Sequence, residues 1–169
     1  MLTLKEKLLM TAECLGLAVY DTLPASCLLD GVYIGGKQKP LILMKPCLSD
    51  PRYIPVLAEE MGHHAASYGM AVESEDVCRV KSENYGRAWA IDLLLPVCKF
   101  AFASVLYSCE EASDYAEAFS LDESFVADAI ARHKRGGLWP DRFEPVLQRL
   151  VKPGRQSALR KRRTLSRAG

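Results

Sequence analysis

The chain has three histidines in 169 residues, and two of them lie in the segment Leu57-Ala-Glu-Glu-Met-Gly-His-His64. Side chains four apart share one face of a helix, so Glu59 projects beside His63 and Glu60 beside His64. Two ligands at that spacing, with a carboxylate at the second position between them, is the arrangement by which HExxH peptidases hold zinc, by two histidines, and activate water. Here Glu stands at the first position. Taken alone, the pair is weak evidence and reads more readily as a solvated or salt-bridged pair on an exposed face. A zinc site needs a third protein ligand and an open position. Glu83, twenty residues beyond His63 at the head of an apolar stretch ending at Pro96, is a candidate. It is also simply a favourable acidic residue in a first helical turn.

The elements that must position these residues can be read from periodicity and breakers. Residues 3–19 predict an amphipathic helix, with Leu4, Leu8, Leu9, Ala12 and Leu15 at helical spacing and Gly16 beginning its end. An irregular stretch, Asp21 to Asp30, leads to a hairpin: Val32-Tyr33-Ile34, a Gly35-Gly36 turn, then Leu41 to Met44. Ser49-Asp50-Pro51 opens the helix that carries the glutamates and histidines, which should run to about Tyr68 and close at Gly69. Pro55 implies either a distorted first turn or a start near Tyr53. A helix over 81–95 stops at Pro96, and Val97 to Tyr107 predicts a buried helix. Tyr115 to Phe119 suggests a short one, and Ser120-Leu-Asp-Glu123 a capping box opening a helix to about Lys134 before Gly136-Gly137. A final short helix is expected within 138–151. The fold class is α+β, mainly α, with a small antiparallel sheet.

Charge divides the chain unevenly. Residues 152–169 hold seven of the 22 basic residues and none of the 21 acidic ones, leaving 15 basic against 21 acidic, a balance of −6, in the rest. We therefore expect one domain over 1–151 and a basic, solvated, disordered tail over 152–169. The tail could also contact nucleic acid or an acidic partner. No run approaches a membrane span, and the amino-terminal MLTLKEKLL lacks a signal-peptide core, so a cytoplasmic location without membrane association is expected. The six cysteines show no CxxC spacing and suggest reduced, buried structural thiols.

The order and spacing of these segments resemble the ImmA/IrrE-type metallopeptidases of bacteria, phages and integrated elements. Leu57 to His64 is similar to that family's (H/E)ExGH(H/Y) motif. Glu83, Ala88-Trp89-Ala90 and Leu94-Leu95-Pro96 match its following helix, and Gly31-Val-Tyr-Ile-Gly its glycine-led strand. The likeness runs from about residue 3 to residue 137. It implies a zincin-like domain in which Glu59, His63 and Glu83 ligate the metal and Glu60 is the general base. It also implies a metal-dependent endopeptidase, gluzincin-like in mechanism, whose protein substrate is a helix-turn-helix repressor of a mobile element such as a prophage.

Glu59, where better-known members carry histidine, is the main departure. Two carboxylates and one imidazole make a harder, more negative site, so manganese or iron could compete with zinc, and the metal would be a weaker Lewis acid. His64 is an alternative ligand if the helix rotates. Tyr33, Tyr68 and His133 are possible donors to a developing oxyanion. Trp89 reads as core, in a stripe with Tyr85 and Leu93. Two rivals stand beside the peptidase: a catalytically degenerate, metal-stabilised regulatory binding protein (a non-enzymatic anti-repressor), and a nucleic-acid-associated regulator acting through the tail.

Overall fold

The structure, a computed structural model, describes residues 2–36, 39–67 and 75–139, with side chains in the last range described from residue 83 onward. The chain divides into two compact units, Met1–Leu94 and Leu95–Gly169. The described elements are six helices and three strands, an α+β arrangement dominated by helix. The proposed boundary between a domain and a tail at residue 152 lies outside the described residues, as do Tyr68, Gly69 and residues 140–151.

In the first unit, α1 (Leu4–Cys14) opens on a reciprocal Thr3–Glu6 capping box. It ends sooner than its apolar spacing predicts. Gly16 takes a left-handed conformation (φ 76°), and the Leu17 N–H returns to the Ala12 carbonyl. The residues beyond it become β1 (Ala18–Tyr20). The hairpin forms as β2 (Gly31–Ile34) and β3 (Leu41–Met44), antiparallel with Tyr33 opposite Ile42. Strand β1 adds in parallel on the other side of β3, so the sheet is mixed, in the order β1-β3-β2. Parallel pairing here needs no hairpin, because the connection from β1 passes through the irregular residues 21–30 before β2. Ile42 and Met44 are fully buried on the face that also carries Tyr33.

Helix α2 (Asp50–Ser67) runs unbroken through Pro55. The Ser49 carbonyl accepts the Arg52 and Tyr53 N–H groups, and Pro55, near the start, forgoes only the bond to the Pro51 carbonyl. Helix α3 (Glu75–Leu94) starts earlier than predicted. Its buried face is Gly86, Ala90, Ile91 and Leu94, whereas Tyr85 and Leu93 are exposed and Trp89 is half-buried. The expected Tyr85–Trp89–Leu93 core stripe is therefore corrected: α3 turns Gly86, Ala90, Ile91 and Leu94 inward.

The second unit contains α4 (Val97–Tyr107), α5 (Ala112–Phe119) and α6 (Glu123–Arg135). Phe100 is completely buried and meets Tyr115, Phe119 and His133 edge-on, with centroids 5.1, 5.4 and 5.7 Å away. The cap of α6 is Asp122, which accepts the Ser124 and Phe125 N–H groups. Ser120, predicted to begin that cap, instead ends α5 in a left-handed conformation (φ 54°). The described cysteines are free thiols, and of these only Cys109 is buried; Cys98, expected inside, is exposed. Among the described residues no single helix is long and apolar enough to cross a membrane.

Candidate functional site

The site is built where α2 crosses α3. Gly62 and Gly86 meet there: a methyl group on Gly62 would stand 2.8 Å from the Gly86 Cα and carbonyl oxygen. With no side chain on either, the two backbones approach too closely for a methyl group to fit between them. The residues flanking each glycine are thereby drawn together. From α2 come Glu59 and His63, and from α3, one turn apart, Glu83 and Arg87.

His63 lies over Gly86, where an added methyl would come within 2.9 Å of the ring Cε1. Its Nε2 is 3.6 Å from Glu83 Oε2; His63 is largely covered, while the Glu83 side chain is 71% exposed. Glu59 is more than half buried and pairs with Arg87, whose Nη1 donates to Glu59 Oε1. Burial raises the Glu59 carboxyl above its ordinary range, and the neighbouring Arg87 charge acts in the opposite direction.

Glu60 faces the sheet. Its Oε2 accepts the backbone N–H of Tyr33 at 2.7 Å, on edge strand β2. One turn further along α2, the buried His64 has Nδ1 3.0 Å from the Tyr33 hydroxyl. Successive turns of the helix thus hold one strand residue by its backbone and by its side chain. Desolvation raises the Glu60 carboxyl; His63 and the Tyr33 N–H oppose the shift, and Glu59 and Glu83 add to it.

Sequence reasoning put Glu59, Glu60 and His63 on one helix and Glu83 on the next; the structure sets His63 beside Glu83 and Glu59 beside Arg87 at the crossing, and turns Glu60 towards the sheet. His64 points instead to Tyr33. Of the suggested oxyanion donors, the Tyr33 hydroxyl is engaged with His64, and Tyr68 lies outside the described residues. His133 is a core residue of the second unit, its Nε2 2.8 Å from the Leu95 carbonyl. Two features escaped the sequence reading. Arg87, four residues after Glu83, was available as a same-face partner, but nothing in one helix says which side chain opposite it will meet. The helical glycines 62 and 86 were visible as breaks in propensity, a signal of close packing.

The donors suit a divalent ion in kind. The His63–Glu83 separation exceeds a hydrogen bond, and it matches the roughly 3.3–3.6 Å edge of a tetrahedron with zinc bonds of about 2.0–2.2 Å. Glu59 is the donor that would have to exchange partners. As the side chains stand, no three His, Cys, Asp or Glu among the described residues converge on a point that could hold a metal. Comparison of the chain with protein-family profiles, curated proteins and solved structures returns no match.

Proposed function

We propose that the chain is a metal-dependent endopeptidase of the ImmA/IrrE kind, acting in the cytoplasm on a helix-turn-helix repressor. The observation that carries this reading is the gathering of Glu59, Glu60, His63 and Glu83 at one glycine-mediated helix crossing beside an edge strand. Glu59, His63 and Glu83 would hold zinc, or manganese or iron in its place. When bound, the ion supplies Lewis-acid polarisation of the scissile carbonyl and of water. The protein's own contribution centres on Glu60. Its burial makes it a stronger base than a solvated carboxylate. The Tyr33 N–H fixes one of its oxygens, leaving the other to take the proton from water and return it to the departing amine. The basic tail, 152–169, is assigned an auxiliary contact with nucleic acid or an acidic partner.

The direct test is cleavage of purified helix-turn-helix repressors by the purified protein with added zinc. Glu60→Gln should lose at least about a hundred-fold in rate while retaining fold and partner binding. A second reading is a binding protein that inactivates the repressor without hydrolysis. The Glu59–Arg87 ion pair favours it, because that pairing occupies a required ligand. Undiminished derepression by Glu60→Gln in cells would select this second reading.

A further inference from the structure

We propose that Arg87 and a divalent cation compete for the Glu59 carboxylate, so that Arg87 governs how readily the site takes up metal. The inference rests on the metal-dependent reading and adds to it a residue which that reading does not contain.

Arg87 lies one helical turn beyond Glu83 on α3 and so reaches the same face of α2 as the third candidate ligand. Its guanidinium donates to Glu59 Oε1, and both side chains are about three-quarters covered. A carboxylate so placed, with Glu60 adjacent on the helix and Glu83 across from it, needs a neighbouring positive charge. Arg87 meets that need in the metal-free protein. An incoming ion must take Glu59 from the guanidinium and then sit near a fixed like charge, two costs that a site without the arginine does not incur. The crossing therefore has two alternative cations for one carboxylate. The arginine-bound form is a folded apo state, and removing the arginine should make the fold depend on the ion instead.

Zinc alone, buffered by a competing chelator, is the probe, read by equilibrium binding and by the zinc-induced shift in Tm. Arg87→Gln should be less stable than wild type without metal. It should bind zinc roughly ten-fold or more tightly, the equivalent of one lost charge contact, and gain more in Tm on zinc addition. The gain should vanish when Glu59→Gln is added. Arg87→Met keeps the aliphatic stem and loses the charge and the hydrogen bond, so its zinc affinity should also rise; this variant decides the matter if Arg87→Gln does not fold. Equal zinc affinity in wild type, Arg87→Gln and Arg87→Met, all lost with His63→Ala, would overturn the competition and leave the metal-dependent reading standing. An absence of His63-dependent zinc binding in every variant would overturn both.

Discussion

Gly62 and Gly86 touch backbone to backbone across the α2–α3 crossing, and the candidate chemistry of this protein is arranged around that contact. A methyl group on Gly62 would meet main-chain atoms 2.8 Å away, which cannot turn aside, whereas one on Gly86 would first meet the His63 ring at 2.9 Å. Gly62→Ala should therefore cost about 1–3 kcal/mol through overpacking, outweighing the roughly 1 kcal/mol that alanine gains in helix propensity. Gly86→Ala should cost less in stability but displace His63, lowering zinc affinity. Urea denaturation combined with zinc titration of both variants separates the two effects. Equal stability of Gly62→Ala and wild type would show that the crossing is looser than described.

The environment of Glu60 fixes a pH dependence. Burial is the largest influence on its carboxyl and raises it above the ordinary value of 4.5, against the opposing effects of His63 and the Tyr33 N–H. The sign for stability is the reverse of the usual carboxylate case. A folded pKa above the unfolded one contributes stability at low pH, and that contribution is lost as pH rises through the folded value. Glu60→Gln should remove this loss, measured as a stability difference between variant and wild type that grows with pH between the two values.

Asp30 behaves oppositely. Lys45 and Arg52 both pair with it, at 3.1 and 3.0 Å, and the Lys45 hydrogen bond is the main cause of a carboxyl held below its ordinary 3.8. Its stabilisation is complete above the unfolded value and is lost as pH falls through the folded one. Asp30→Asn should cost about 1 kcal/mol near neutral pH. The difference from wild type should shrink to nothing in strong acid, as read from urea midpoints across that range.

In the second unit His133 donates from Nε2 to the Leu95 carbonyl, since a carbonyl can only accept. Nitrogen NMR should show the proton on Nε2. His133→Ala removes both this bond and the edge contact with Phe100, and should cost about 2–4 kcal/mol in thermal or urea unfolding.

Much of this was legible in order along the chain. Helical spacing placed Glu59, Glu60, His63 and His64 on one helix, because a 3.6-residue repeat is a local property. Pro96 marked the end of α3 for the same kind of reason. Local signals misled where two neighbouring options were close in energy. The α1 pattern extended past Gly16, yet residues 18–20 gained more by pairing with β3 than by one further helical turn. Ser120 and Asp122 are both good caps, and the side chain that reached the free N–H groups decided between them.

By itself the sequence determined which residue types could do chemistry, their turn-by-turn grouping on helices, and the mainly helical α+β class. The tertiary structure alone decided what each charged group faces: Glu60 against a strand N–H, His64 against Tyr33, and Glu59 against Arg87. Helical periodicity orients a side chain around its own axis. Its partner is set by how closely two helices can approach, and here two glycines 24 residues apart in the chain permit that approach.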